Sequence, residues 1–315
     1  MKEVSLSKQG VAPGFTPYIY TMHCTDFHYA VNALRAFFLA KWWIEVHPQS
    51  RLSILAACED PSTVSDFVYH NQLRPLPQTG QMRLEHELLR NPQLPGVFCV
   101  TTSYRNEPNP IPGRHETIFP MFEFETHGGI EVLHDLEIEL ITALWLTTQP
   151  IAVETYDEVA KHYQTSELTA AHELRMQEDF WEVTLLTHFP HHTSPFRNMK
   201  NVGDHAAKID VIAYGMETIW SAERSTNVAE MRDAFHTISE GGYAQLLYDR
   251  FTKERVEAEL EQFLSYEFFP RCGGGIGMTR MIRAMRMAGQ LPGSTEIVHT
   301  WSLMNAFTRA MQRSG

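Results

Sequence analysis

The segment at residues 104–125 has the sequence YRNE, then PNPIPG, then RHETIFPMFEFE. Because three prolines and a glycine cannot lie inside a β-ladder, we predict strands over 96–107 and 118–126, joined by the PNPIPG loop. Side chains alternate between the two faces of a strand, so Arg105 and Glu107 share a face. A guanidinium suits a phosphate and a carboxylate accepts from an amine, so this face could hold one ligand; the alternative is an exposed, salt-bridged strand face.

The rest of the chain alternates helical and extended patterns, without an internal repeat or a low-complexity linker. We therefore expect an α+β fold built on an antiparallel sheet, with a further strand pair over 208–224 that folds near Tyr214 and Gly215. Helices are expected over residues 131–147, 167–181, 253–264 and 278–288, after a first helix that starts at residue 26 and runs into an extended segment at 44–46. The expected organisation is a single domain over 1–315, with a core at 26–288, an N-terminal extension at 1–25 and a tail at 289–315.

Composition excludes several classes of protein. The chain has 43% hydrophobic and 20% charged residues, which is not the composition of a disordered or coiled-coil protein. A formal net charge of −12 argues against a protein whose main task is to neutralise nucleic-acid phosphates. Polar residues follow Met1 and no apolar run is long enough to cross a bilayer, so we expect a cytoplasmic protein without a membrane segment. Reduced, mostly buried thiols are expected at the four cysteines, which lack zinc-ligand spacing: Cys24, Cys58, Cys99 and Cys272.

Two other groups of residues could carry chemistry. Asp210 and Glu217 bracket the expected turn and would lie on the same face, where two carboxylates could coordinate Mg²⁺; a charged rim on an exposed hairpin is the alternative. The glycine-rich segment at 273–277 would by itself indicate a tight turn, and no βαβ unit follows it to support a dinucleotide site. The histidines near residue 190 lie in a proline-containing loop, which favours solvent exposure over a metal cluster: His188, His191 and His192.

Taken in order, these segments resemble the motifs of class II aminoacyl-tRNA synthetases. The hairpin resembles motif 2, which is F-R-x-E, a variable loop and then R-H-x-x-E-F. The resemblance implies that Arg105 holds the α-phosphate of ATP and the amino-acid carboxylate, while Glu107 recognises the adenine amino group. It also implies that Phe119 stacks on the adenine and that Arg114 and His115 lie near the outer phosphates.

Two further segments resemble the other motifs of this family. Residues 34–48 are similar to motif 1, a helix and a strand that build the dimer interface, and this implies a homodimer. Gly273, Gly275, Gly277 and Arg280 are similar to motif 3, which implies that the glycines let the backbone approach the nucleotide and that Arg280 clamps the γ-phosphate. Arg105 and Arg280 would thus be the catalytic arginines. The implied fold is the class II synthetase-like antiparallel sheet flanked by helices.

The spacing of three charged residues resembles the aspartyl and asparaginyl subclass. Asp210, Glu217 and Arg224 are separated by seven residues each, which implies that the carboxylates hold Mg²⁺ and that the arginine binds the substrate side chain. Strict alternation would put Glu217 and Arg224 on opposite faces, so both can serve one site only if a bulge or a strand end intervenes. Gln81 lies in TGQMRLE, which resembles a segment of asparaginyl-tRNA synthetase and implies a role in substrate recognition.

Three positions depart from the family patterns. Ile118 replaces a glutamate of motif 2, and Thr279 replaces the acid of motif 3. Trp220 stands where the subclass has a small residue, and its indole would narrow the substrate pocket.

The resemblance implies an ATP-dependent, AMP-forming amino-acid ligase. About 25 residues precede motif 1, too few for an OB-fold anticodon domain, so we do not expect tRNA binding through such a domain. The expected enzyme is similar to archaeal asparagine synthetase: it uses ATP and Mg²⁺ to form an aminoacyl adenylate and passes the acyl group to ammonia or another amine. One alternative is acyl transfer to a tRNA or a carrier protein. Another is a non-catalytic paralogue that binds an amino acid or ATP and regulates a partner.

Overall fold

The computed structural model describes residues 22–48, 52–54, 61–111, 114–193 and 198–292. Several features that the sequence singled out lie outside these ranges: residues 1–21 of the N-terminal extension, Cys58, Pro112, Gly113 and residues 293–315 of the tail.

Helices and strands alternate through the described ranges. The α-helices are α1 Cys24–Ala40, α2 Gln81–Arg90, α3 Ile130–Ala143, α4 Tyr156–His162, α5 Ala170–Asp179, α6 Val228–Thr237, α7 Gly242–Phe251, α8 Lys253–Leu264 and α9 Met278–Met287. The strands are β1 Ile44–Glu45, β2 Asp66–Tyr69, β3 Gln72–Pro75, β4 Gly96–Tyr104, β5 Ile118–His127, β6 Ala152–Thr155, β7 Val183–Pro190, β8 Asn201–Val202, β9 His205–Ala213, β10 Met216–Glu223 and β11 Arg271–Gly277.

One large sheet organises the domain. Its strand order is β1-β4-β5-β11-β10-β9-β7-β6, with β8 paired to β9, while β2 and β3 form a separate hairpin. The pairs β1–β4 and β6–β7 are parallel and the other pairs of this sheet are antiparallel. The fold is therefore the expected α+β arrangement rather than a doubly wound parallel sheet.

Alternation along β5 separates the hydrophobic core from the opposite face of the sheet. Phe122 and Phe124 are fully buried and lie with their rings 5.2 and 5.3 Å from the ring of Phe38 in α1. Burial of each such ring contributes roughly 1.5–3 kcal/mol, which fixes the register of β5 against the helix. The residues between and beyond them, Glu123 and Glu125, consequently project from the other face.

The segment at 273–277 is a strand, not the tight turn that its glycines alone would indicate. Gly273, Gly274 and Gly275 pair with β5 on one side and with β10 on the other. A methyl group on Gly273 would overlap the Glu125 carboxylate and the Phe124 carbonyl oxygen. The glycines are therefore required because side chains and backbone of the neighbouring strands occupy the space that a Cβ would take.

The first strand of the motif 2 hairpin ends three residues earlier than predicted. Regular pairing of β4 with β5 stops at Tyr104, which lies opposite Ile118, and beyond it the Asn106 N–H donates to Thr63 O (2.9 Å). Arg105 retains one bond, from its N–H to Thr117 O (2.8 Å). Arg105 and Glu107 thus lie in the irregular segment just after β4, at the loop end of the hairpin.

The thiols and the helix lengths fit the expectations from composition where the structure describes them. Cys24, Cys99 and Cys272 are free, and the latter two are buried. Among the helices of the described ranges, none is both long and apolar enough to cross a membrane.

We predict that Gly273→Ala destabilises the protein by roughly 1–3 kcal/mol or more, because the added methyl forces the central strand away from β5. Gly277→Ala is the matched control, since the nearest atom to a methyl group at that position is Arg280 Cδ at 3.8 Å, an ordinary contact. Urea unfolding of both variants measures the difference. Equal unfolding free energies would show that β5 can move aside without cost.

Candidate active site

A cavity of about 290 Å³ opens on the face of the sheet opposite the Phe38 cluster, around the central strands β5, β11 and β10. Its walls combine charged groups with two aromatic rings. The lining residues are Arg105, Glu107, Arg114, His115, Glu116, Phe119, Met121, Lys208, Glu217, Thr218, Trp220, Gly275, Gly277, Thr279 and Arg280.

The cavity brings together most of the site residues that the sequence suggested. The nine that line it are Arg105, Glu107, Arg114, His115, Phe119, Glu217, Gly275, Gly277 and Arg280. These residues come from the hairpin, from β10, and from β11 with the start of α9, and these segments are far apart in the sequence. Gln81, Asp210 and Arg224 do not line the cavity: all three are buried, with at most 5% of their surface exposed.

Arg105 and Phe119 face each other across the mouth of the hairpin. The Arg105 guanidinium carbon lies 5.6 Å from the centroid of the Phe119 ring, within the range of a cation–π contact. Glu107 lines the same cavity from the segment that follows β4. This end of the cavity therefore offers a planar ring, a fixed positive charge and a carboxylate within one concave surface.

Two arginines of the cavity are held by carboxylates. Arg280 Nη1 lies 3.3 Å from Glu217 Oε1 and donates to the Glu217 carbonyl oxygen at 2.9 Å. Arg114 Nη2 contacts both carboxylate oxygens of Glu173 at 2.7 Å. Glu173 also accepts from the Glu217 N–H at 2.9 Å, so α5 joins the hairpin loop to β10. In the sequence this part of α5 resembles only a connecting segment, and no local pattern marks the Glu173 carboxylate as part of the site.

A β-bulge at Thr218 places Glu217 on the face of the cavity. Glu217 pairs with Ile212 of β9, but Ile219 pairs with Val211, so Thr218 is the additional residue. The extra residue reverses the alternation, and Glu217 therefore shares a face with Trp220 and Arg224. The preceding turn is the expected one, since Tyr214 (φ 51°) and Gly215 (φ 74°) both have the positive φ of a two-residue hairpin turn.

Asp210 lies beside the cavity wall and is paired with a lysine that the sequence did not single out. Lys208 Nζ lies 2.9 Å from Asp210 Oδ2 and 3.8 Å from the centroid of the Phe189 ring. Burial raises the pKa of Asp210 to about 7, against the opposing effect of Lys208, and the negative charge of Glu217 raises it further. Lys208 and Asp210 are two residues apart on β9, so the alternation of the strand could have suggested the pair.

A magnesium ion fits this region only with most of its ligands supplied from outside the protein. In the described part of the chain, no group of three or more histidines, cysteines and carboxylates is arranged to hold a metal. Glu217 faces the cavity, whereas Asp210 is buried with Oδ1 lacking a hydrogen-bond partner. Mg²⁺ binds one or two carboxylates together with phosphates and waters. Glu217 could therefore bind such an ion from the cavity wall, and the buried Asp210 could be the second carboxylate.

Arg224 lies behind the indole of Trp220 and is fully buried. Its guanidinium carbon is 5.8 Å from the Trp220 ring, and Trp220 lines the cavity whereas Arg224 does not. Nε and Nη2 of Arg224 each lie 3.2 Å from a carboxylate oxygen of Glu125. Gln81, at the start of α2, accepts from Arg224 and from Gly274 N–H when its amide oxygen faces them. Gln81 and Arg224 are thus neighbours inside the protein, and neither lines the cavity.

A buried ionic network extends from Arg224 to Glu85 of α2. Arg271 Nη2 lies 2.6 Å from Glu85 Oε2, and Arg271 Nε lies 3.9 Å from Glu125 Oε1. Glu85 Oε1 in turn accepts from Asn198 Nδ2 at 2.6 Å. Two arginines and two glutamates balance each other, as burial of four charges requires. Sequence alternation gave the faces of these residues but not their partners across the fold.

Three solved synthetase structures have a fold similar to this one. Asparaginyl-tRNA synthetase from Pyrococcus horikoshii, solved with asparaginyl-adenylate, superposes with a TM-score of 0.69 at 19% identity, over 84% of this chain and 65% of that one. Asparaginyl-tRNA synthetase from Entamoeba histolytica, also with asparaginyl-adenylate, gives 0.65 at 18% identity, over 82% and 62%. Aspartyl-tRNA synthetase from the same organism gives 0.64 at 16% identity, over 84% and 55%. The chain therefore spans less than two thirds of the length of these synthetases.

The family model for class II tRNA synthetases (D, K and N) matches residues 24–291. The chain belongs to this family, which confirms the resemblance drawn from the three motifs. No curated protein matches the sequence significantly.

We predict that Glu125→Gln makes stability less dependent on pH. Burial is the main cause that raises the pKa of Glu125 from its ordinary 4.5 to about 7 in the folded protein. The folded state therefore binds more protons than the unfolded state between these values, so this group's contribution to stability is complete below about pH 4.5 and is lost as the pH rises to about 7. Glutamine does not ionise, so the unfolding free energy of Glu125→Gln should not include this decrease.

The measurement is the unfolding free energy in urea from pH 5 to pH 8 for the wild type and the variant, with Glu261→Gln as the surface control. A wild-type decrease that persists unchanged in Glu125→Gln would assign the pH dependence to other groups.

Proposed function

We propose that the protein is an ATP-dependent, AMP-forming ligase that activates the carboxylate of an amino acid as an aminoacyl adenylate. The observation that carries this proposal is the convergence of three separated segments on one cavity. Arg105 and Phe119 from the hairpin, Glu217 from β10 and Arg280 from α9 line the same concave surface. Each has the chemistry that one part of ATP requires, and the family match covers all of them.

At the hairpin end, the Phe119 ring would stack on adenine and Glu107 would accept from its exocyclic amine. Arg105, beside that ring, would hold the α-phosphate and the substrate carboxylate together. Positioning these two groups makes attack of a carboxylate oxygen on the α-phosphorus effectively intramolecular. The guanidinium would also stabilise the negative charge that develops on the phosphorus oxygens, while pyrophosphate leaves.

Where the hairpin loop meets α9, the outer phosphates would contact Arg114, His115 and Arg280. The first turn of α9 begins at Met278, just after the cavity-lining Gly277, and the amino end of a helix favours anions. Arg114 and Arg280 are paired with Glu173 and Glu217, but these side chains remain 13–33% exposed. Phosphate oxygens would therefore compete with the carboxylates for the two guanidinium groups.

Mg²⁺ would be held by Glu217, with Asp210 behind it, and by the phosphates of ATP. The ion would neutralise part of the charge of the triphosphate. Arg280, which contacts Glu217 from the first turn of α9, would bind the γ-phosphate.

For the second step we propose ammonia or another amine as the acceptor, in an asparagine synthetase-like reaction. The amine nitrogen attacks the acyl carbon, the bond from that carbon to the phosphate oxygen breaks, AMP leaves and the nitrogen loses a proton. The formal charge of −12 supports a small acceptor over a polyanion. Formation of an ester with tRNA, or of a thioester with a carrier protein, would redirect the proposal to those acceptors.

We also propose a homodimer. β1 lies at one end of the large sheet and follows α1, and the turn between them presents apolar side chains to solvent. Leu39, Trp42 and Ile44 are 51%, 83% and 46% exposed within six residues. Exposed aromatic and aliphatic groups in one patch are typical of an interface with another protein, and a twin chain would cover them.

The predicted result of the activity test is amino-acid-dependent exchange of pyrophosphate into ATP, with AMP as the nucleotide product of the complete reaction. Arg105→Ala should lower kcat/KM about 10²–10³-fold, because it removes a donor to the developing charge. Arg232→Ala, a partly exposed arginine of α6 paired with Glu261, is the matched control and should retain activity. Release of ADP and phosphate would contradict the adenylation mechanism.

For the dimer, sedimentation at micromolar concentration should give twice the chain mass of 36.2 kDa. Trp42→Asp should shift the equilibrium to monomer, since aspartate tolerates the positive φ of 62° at this position but does not favour burial. Trp145→Asp, at another exposed tryptophan, is the control. A wild-type mass of one chain would overturn the proposed dimer.

A further inference from the structure

The far end of the cavity is closed by a tryptophan whose neighbours leave no charge for a substrate side chain. Trp220 pairs with Asp210 of β9 on one side and with Gly275 of β11 on the other, so its indole stands over the centre of the sheet. The next residues of β10 on the same face are Ala222 and Arg224. Since Trp220 lines the cavity and Arg224 has no exposed surface, the indole is the wall that separates the cavity from Arg224.

Behind the Trp220 indole, Arg224 is already paired with other side chains. Two of its nitrogens contact Glu125, and Gln81 accepts from it as well. Glu125 is itself fully buried, next to Arg271. A substrate carboxylate that reached Arg224 would have to move the indole and displace Glu125, which would leave a buried carboxylate without its partner. Breaking a buried pair in this way is costly.

The other cation at this end of the cavity is already neutralised. Lys208 lies 2.9 Å from Asp210, and its ammonium group is 5.7 Å from the Trp220 ring and 3.8 Å from the Phe189 ring. Asp210 is 5% exposed, so a substrate anion that paired with Lys208 would leave the buried Asp210 carboxylate without its partner. Gly275, which pairs with Trp220, and Met121, whose methyl group lies beside Gly275, add no charge to this part of the lining, and Glu217 on the same face is paired with Arg280.

We infer that Trp220 determines substrate size and that the activated acid has a small, uncharged side chain, in the class of glycine and alanine, rather than an aspartate-like one. This inference rests on the proposed adenylation and specifies its substrate. The nucleotide and carboxylate subsites around Arg105 are unaffected, because the wall lies at the opposite end of the lining. Arg224 then serves the buried network, and it would gain access to a ligand only when the indole is removed.

The test uses stable aminoacyl sulfamoyl adenosines, which mimic adenylates and need no turnover. Their dissociation constants are measured by calorimetry on the full chain for the glycyl, alanyl, asparaginyl and aspartyl compounds. In the wild type we expect the glycyl and alanyl compounds to bind at least about tenfold more tightly than the other two, because pocket size discriminates by about 10–200-fold per methylene. Trp220→Gly should reverse this order, while Trp145→Gly, at an exposed tryptophan, should keep it.

The second part of the binding test uses the variant Arg224→Lys. In the wild-type background it should leave the order of the four compounds unchanged, and in the Trp220→Gly background it should remove most of the gained aspartyl binding. Tightest binding of the aspartyl or asparaginyl compound by the wild type would overturn the inference while leaving adenylation intact. Binding of none of the four compounds would instead refute the proposed function and the inference with it. If Arg224→Lys fails to fold, the comparison of Trp220→Gly with Trp145→Gly still decides.

Discussion

The structure depends on a central strand, β11, that has three consecutive glycines in its middle. At Gly273, Gly274 and Gly275, β11 lets β5 and β10 fill the space above and below it: the Glu125 carboxylate and the Phe124 carbonyl oxygen stand where a Cβ of Gly273 would be, and Ser221 and the Trp220 carbonyl oxygen crowd Gly274. Glycine normally weakens a strand, so the sequence accepts that cost only where another group needs the room. The floor of the cavity and the place of the buried ionic network both follow from this missing volume.

The second constraint is the parity of β10. A strand can aim two residues at one site only if they are an even number of positions apart, yet Glu217 and Arg224 are seven apart. The bulge at Thr218 removes this conflict by adding one residue, and it brings Glu217 to the cavity where it contacts Arg280. The bulge therefore places Glu217 and Arg224 on one face of the strand although they are seven residues apart. It lies beside the candidate site, as bulges often do.

The parts of the fold that rest on local patterns could be predicted from the sequence. The α8 helix over Lys253–Leu264, the turn at Tyr214 and Gly215 and the two hairpin strands follow from periodicity, positive-φ propensity and the positions of prolines. What escaped prediction involves partners that are distant in sequence. Regular pairing of β4 stops at Tyr104, beyond which Asn106 bonds to the distant Thr63, and the motif 3 glycines form a strand because β5 and β10 flank them. The pairing of Arg224 with Glu125 depends likewise on the assembled sheet, since alternation gives the face of a residue and not its neighbour.

Burial divides the arginines of this face into two kinds. Arg114 and Arg280 keep 13% and 24% of their side-chain surface exposed, so a phosphate can replace their carboxylate partners while water solvates the carboxylates that are released. Arg224 and Arg271 have no exposed surface, and the glutamates they hold would have nowhere to go except the protein interior. A ligand can therefore replace the glutamate of a partly exposed arginine–glutamate pair but not that of a fully buried one. The residue types are the same in both, so desolvation sets the free-energy cost of the exchange. A ligand that gains its affinity from guanidinium groups consequently places its anionic part at the end formed by the hairpin and α9, and its neutral part against the indole.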